Sequence, residues 1–317
     1  MLMEYGLMVP QGWRMDLVGI DDPVEAYEAM TRVAQEAERL GFHSLWLFDH
    51  FHTVPVPAQE ITFECWTTTA ALARDTTRIR LGQLVSCNSY RNPALLAKMA
   101  STVDVLSHGR LTLGIGAGWY EPEYDAYGYE YPSTAERLRR LREAVKLIHA
   151  MWTLDEADFA GQYYQIQGAI NQPRGEQKPH IPLLIGGSGE QVTLKLVAQY
   201  ADMCNISNAD IAVLEQKLEV LKRHCEAIGR DYNDIRRTLL INCTIGETEE
   251  EALEKVPGRT RAQLEVVNRQ SLLGTPEMIR ARLEEYEEAG IQEVILWFPD
   301  AIKLDAVQLF ASECMSG

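Results

Sequence analysis

The feature that most restricts the fold of this chain is an alternation sustained from one end to the other, in which short apolar runs precede long amphipathic stretches. Repeated β-α units produce that pattern, because their parallel strands are buried on both faces and carry no polar side. The first run covers residues 5–9. Asp22 as N-cap and Pro23 at the first helical position then start a helix with Val24, Tyr27, Met30, Ala34, Ala37 and Leu40 at helical spacing, and Gly41 stops it. Further runs cover residues 44–48, 79–86, 111–115, 182–185, 203–206, 238–245 and 293–298. Between them the spacing predicts helices over about 66–73, from Asn92-Pro93 to Gly109, from a capping box at Ser133 and Glu136 to about 152, and through Tyr200. Others follow over about 210–228, from a second capping box at Thr248 and Glu251, and from Thr275-Pro276 to Gly290.

Eight strands with roughly eight helices predict an α/β fold of the closed (β/α)8 TIM-barrel kind, since open doubly wound sheets more often have five or six parallel strands. A chain of 317 residues fits one such domain. The periodicity lapses over about 153–182, too long for an ordinary connection, which predicts an insertion before the fifth strand. In such a barrel the chemistry is expected at the C-terminal ends of the strands.

A formal charge of −16 argues against nucleic acid or an anionic membrane as partner, because both require Lys and Arg to replace counterions. Six cysteines without C-x-x-C spacing, an opening MLMEYGLMVPQGW without a signal-like pattern, and no apolar run of membrane-spanning length predict a cytoplasmic protein.

Four strand ends carry residues suited to chemistry. The second ends in LFDHFH, placing Asp49, His50 and His52 together. Imidazole exchanges a proton near neutral pH, and a neighbouring carboxylate orients it. No metal site is expected, because His50 and His52 have no obvious third and fourth ligands. The third strand ends in Cys87, Asn88, Tyr90 and Arg91, where the thiol reads as a packed side chain. The fourth ends in GIGAGWYEPEY. Trp119 at the sixth position breaks the dinucleotide pattern G-x-G-x-x-G, so Gly114, Gly116 and Gly118 either admit a flat ring or serve tight packing. Glu121 and Glu123 are candidate acids there. The fifth strand runs into Gly186, Gly187, Ser188 and Gly189 before a helix, where backbone N–H groups and the helix dipole suit a phosphate even in an acidic protein.

Taken together, SLWLFDHFH, the stretch from IRLGQLVSCNSYRNP to GIGAGWYEPEYDAYG, FAGQYYQI and IPLLIGGSGE resemble luciferase-like monooxygenases over nearly the whole chain, and within them the branch that uses the deazaflavin F420. The resemblance implies a cofactor ring across the strand C-termini, beside Gly116 and Trp119, with its phosphate at Gly186, Gly187, Ser188 and Gly189. It implies a catalytic role for His50, and a bulge with a non-proline cis peptide near Leu84 and Val85. Relatives that oxidise sugar phosphates or alcohols carry a glutamate where this chain has Trp119, and Glu121 is the candidate to replace it, with Asp49 as an orienting group for His50.

The function expected is F420-dependent hydride transfer to or from a small organic substrate. The alternative is an FMN-dependent monooxygenase supplied with reduced flavin by a partner reductase, and a third reading is a flavin-binding barrel without turnover. A homodimer is expected from the resemblance alone.

Overall fold

Backbone chemistry at the helix ends sets the frame. In the computed structural model, which describes residues 3–207, 209–256 and 270–315, strand β1 (Glu4–Met8) leads to α1 (Pro23–Leu40). The Asp22 carboxylate accepts hydrogen bonds from the Val24 and Glu25 amides, and Gly41 closes the helix in the left-handed conformation that its missing Cβ permits. Replacing Asp22 with Ala leaves those two donors without their side-chain acceptor. The expected loss is about 1 kcal/mol, read as a lower urea midpoint at unchanged slope.

The chain continues through β2 (Ser44–Leu47), α2 (Cys65–Asp75), β3 (Arg80–Gln83), β4 (Ser86–Cys87), α3 (Pro93–Leu106) and β5 (Leu111–Gly116). Next come α4 (Glu121–Tyr127), α5 (Thr134–Thr153), the strands β6 (Ala157–Ala160) and β7 (Gln165–Ala169), β8 (Leu183–Gly186) and α6 (Thr193–Tyr200). The remainder comprises β9 (Met203–Ser207), α7 (Ile211–Ile228), β10 (Arg236–Ile245), α8 (Glu249–Glu254), β11 (Ser271–Gly274), α9 (Pro276–Glu288), β12 (Glu293–Trp297) and α10 (Asp305–Cys314).

Parallel pairing runs β10-β12-β1-β2-β3-β5-β8-β9, and β9 returns to β10 through Met203 opposite Arg236, so the sheet is a closed eight-stranded barrel. The expected (β/α)8 fold is thus observed. Two strands lie outside that ring: β4 prolongs the third strand beside β5, and β11 pairs with the far end of β10. The interrupted segment at 153–182 contains the antiparallel hairpin β6-β7. The third run, read as one strand, is broken at Leu84 and Val85, whose peptide is cis.

Strand alternation divides the core in two. Leu45 and Leu47 point outward to the helices, while Trp46 fills the barrel with Met8, Leu184, Met203, Leu240 and Ile295. With both faces buried, the strands read as unbroken apolar runs. No helix among the described residues is long and apolar enough to cross a membrane.

Candidate active site

A cavity of about 480 Å3 opens at the C-terminal mouth of the barrel, where the chemistry was expected. Residues from the second, third, fourth and fifth barrel strands meet there, including Asp49, His50, Leu84, Val85, Gly116, Trp119 and the run Gly186 to Gly189. The wall also takes Trp13 and Arg14 from the β1–α1 segment, Phe48 after β2 and Tyr120 before α4.

His50 is held on two sides. Its ring stacks on the Trp13 indole, with centroids 4.0 Å apart and planes within 6°. Its Nδ1 lies 2.7 Å from Oε2 of Glu123, a carboxylate with no exposed surface. That carboxylate accepts three further hydrogen bonds, from Tyr90 Oη at 2.9 Å and from the Phe51 and His52 amides at 2.8 and 3.4 Å. Burial by itself would raise the Glu123 pKa, but the bonds and charge of His50, together with the Phe51 amide and Tyr90, hold it below the ordinary carboxylate range. An ionised carboxylate only accepts, so the His50 proton sits on Nδ1 and Nε2 is left for the cavity. Burial and the nearby Cys87 and Glu123 push the Tyr90 hydroxyl pKa well up, keeping it a proton donor.

Two expectations about neighbours of His50 are corrected. Glu121 is exposed at the first position of α4, whereas Glu123 turns inward. Residues two apart on a helix face different ways, so only one of the pair can reach the histidine. Glu123 and Tyr124 are the buried residues of α4 and make up its inward face. Asp49 does not orient His50 either. It forms a bidentate ion pair with Arg91, at 2.6 and 2.9 Å, and accepts from the Cys87 amide at 2.8 Å. Adjacent side chains leave the backbone in different directions, and that of Asp49 leads under the third strand. Arg91 also binds Glu64, the residue that caps α2. The Cys87 thiol meets Tyr124 Oη at 3.1 Å, and burial pushes its pKa up to about 11, which fits a packed thiol rather than a nucleophile.

The glycines answer the ring-or-packing question on the side of packing at one point. A Cβ on Gly116 would come within 2.7 Å of Val85 Cγ2, and one on Gly186 within 2.8 Å of Val85 Cγ1. Val85 thus stands between the ends of β5 and β8 as a floor residue. Beyond β8, Gly187 adopts a φ of +112°, and α6 begins at Val192 without a side-chain cap. The Leu194 amide donates to the Gly189 carbonyl at 3.0 Å, and among the described residues no side chain caps the other amides of the first turn, which is the arrangement an anion site uses.

A cavity with an apolar floor at Leu84 and Val85, a proton-exchanging imidazole on one wall and an uncapped glycine-rich helix start at one edge suits a flat ring carrying a phosphorylated side chain. Sequence reasoning missed Trp13 and Arg14, which lie in a segment without periodicity and reach the site only through the fold.

Known proteins share this architecture. A secondary alcohol dehydrogenase described as F420-dependent, solved with an F420-acetone adduct, superposes with a TM-score of 0.83 at 21% identity, covering 99% of each chain. An EDTA monooxygenase from Chelativorans sp. BNC1 gives 0.83 at 14% identity, covering 98% of this chain and 92% of that one. In sequence, an F420-dependent glucose-6-phosphate dehydrogenase of Amycolatopsis mediterranei is 31% identical over 257 residues, 79% of this chain and 75% of its own. A protein of the same description from Mycolicibacterium gilvum is 31% identical over 273 residues, 84% of this chain and 78% of its own. The luciferase-like monooxygenase family profile matches residues 3–264. With its closed parallel barrel, broken third strand and histidine-walled mouth, the chain belongs to the luciferase-like monooxygenase family.

Proposed function

We propose that this protein is an F420-dependent oxidoreductase that moves a hydride between the deazaflavin and a small organic substrate, with His50 exchanging the accompanying proton. The observation that carries this reading is the His50–Glu123 pair at 2.7 Å, which engages Nδ1 and leaves Nε2 available on a ring that lines the cavity. The glucose-6-phosphate dehydrogenases similar in sequence support the choice of F420.

Leu84, Val85 and Gly116 would bear the ring, with Trp119 at its rim, while Gly186, Gly187, Ser188 and Gly189 would hold the phosphate. Bound F420 would supply or accept the hydride. The protein's own part is proton control and geometry. When the substrate is an alcohol, Nε2 of His50 takes the hydroxyl proton as the carbon gives up its hydride, and Glu123 stabilises the resulting imidazolium. For a carbonyl substrate the same nitrogen returns the proton. Trp13 stacked on the ring keeps the imidazole from turning away. Turnover of F420 against a panel of small alcohols and carbonyl compounds, followed by its chromophore, tests the reading. No turnover across the panel would favour a binding barrel without catalysis.

Glu123→Gln changes the partner of Nδ1 from a pure acceptor to one that also donates, so the wrong tautomer becomes accessible. We expect kcat to fall roughly 10- to 100-fold, with a shifted acid limb in its pH profile. The stability consequence follows from the lowered pKa of Glu123. Its contribution is fully present above the ordinary carboxylate pKa and is lost as pH falls through the folded-state value. Wild type and variant should therefore differ in urea stability at neutral pH and converge in acid; a gap that persists in acid would contradict the assignment.

A further inference from the structure

Arg14 is the single Lys or Arg among the described residues that line the cavity. Its guanidinium sits among aromatic rings, with Cζ 5.1 Å from the Trp13 centroid, 5.5 Å from Phe48 and 4.7 Å from Trp297. Among the described residues its Nε is buried without a hydrogen-bond partner. The nearest acid in sequence, Asp16, accepts instead from the Gly12 amide at 2.6 Å. Burial lowers the Arg14 pKa from its ordinary value, with Asp16 opposing, yet a guanidinium stays charged. Asp16 offsets part of this half-buried charge from a distance, but the guanidinium Nε keeps no hydrogen-bond partner, and such a donor at a cavity wall is what an incoming anion satisfies.

The cofactor phosphate does not fill that role. Arg14 follows β1 and the glycine run follows β8, and around the closed ring these strands are four steps apart by either route. The two anion-attracting features therefore face each other across the mouth. Trp13 touches both Arg14 and His50, so the guanidinium and the imidazole lie within the span of one small molecule.

We infer that Arg14 recognises a carboxylate on the substrate, so that the protein acts on small acids bearing a hydroxyl or carbonyl group within reach of His50. This rests on the proposed hydride-transfer reading of the same cavity. A single guanidinium walled by Trp13, Phe48 and Trp297 balances one negative charge. A carboxylate carries one; a phosphate monoester carries nearly two at neutral pH and would leave charge uncompensated beside aromatic walls. The sugar phosphate named for the similar dehydrogenases is thus not the class this pocket favours. The rings of Trp13, Phe48, Trp119 and Tyr120 suit a flat or apolar body between the two ends.

Calorimetric titration of the purified protein, with and without F420, tests this with benzoate, benzamide and phenyl phosphate as probes. Benzoate should bind at least about tenfold more tightly than benzamide, and more tightly than phenyl phosphate. Arg14→Met should abolish the preference, and Arg14→Lys should keep part of it, because an ammonium holds the charge but not the fork. Retained F420 binding shows that each variant is folded. Equal binding of benzoate and benzamide, binding of neither, or a preference that survives in Arg14→Met overturns the proposal. Tighter phenyl phosphate also overturns it, in favour of a phosphorylated substrate. A benzoate preference that depends on Arg14 in a protein that does not bind F420 would overturn the hydride-transfer reading and leave the carboxylate site standing.

Discussion

His50→Ala is expected to lower kcat/KM for F420 turnover by about 10^2- to 10^4-fold while leaving F420 affinity within a fewfold of wild type. In the proposed mechanism Nε2 of His50 is the proton-exchanging atom, and removing it leaves the developing alkoxide or leaving proton to water. The proposed cofactor contacts at Val85, Gly116 and the glycine run do not involve this ring. His50→Asn, which retains a polar head but cannot carry a proton, should fall in the same range. Stopped-flow reduction of F420 at saturating substrate separates the chemical step from binding. Unchanged rates in both variants would remove His50 from the mechanism.

Arg91→Met should cost about 3–5 kcal/mol of unfolding free energy, the largest stability effect expected from a single change at the site. Asp49 has no exposed side-chain surface and relies on a bidentate contact with Arg91, so the variant leaves a carboxylate buried without its counter-charge. Burial by itself would lower the Arg91 pKa, but Asp49 and Glu64 push it up, the signature of a strongly held pair. The companion variant Arg91→Met/Asp49→Asn keeps an acceptor for the Cys87 amide and removes the orphaned charge. It should recover most of the loss in urea titrations. Equal instability of the single and double variants would mean that packing, not charge, dominates there.

Much of the frame was legible in the sequence because its physical cause is local. Strands buried on both faces appear as apolar runs, and Asp22, Asn92, Ser133, Thr248 and Thr275 announce helix starts through their own side-chain hydrogen bonds. The start of α2 was obscure because its cap is Glu64, whose longer side chain is not among the favoured capping residues. The strand β11 escaped notice because it is four residues long and pairs only with the end of β10. The break at Leu84 and Val85 was expected from the family resemblance, not from spacing.

At the site, residue identity was more legible than partnership. His50 could be singled out by its place after a strand, but its partners could not. Glu123 and Glu121 are equivalent in a string of letters and differ by most of half a turn on α4. Asp49 is adjacent to His50 in sequence but belongs to the Arg91 pair, formed across 42 positions. Trp13 and Arg14 reach the cavity because β1 and β2 are neighbours in the barrel, a relation that no local pattern expresses.

The most direct test of the central claim is parallel titration of the purified protein with F420 and FMN, followed by fluorescence quenching at matched concentrations. The account predicts clearly tighter binding of F420, weakened when Ser188 and Gly189 are both replaced by bulkier residues. Tighter binding of FMN would contradict it and point to oxygen chemistry with a partner reductase, and binding of neither would remove the cofactor assignment of the glycine run.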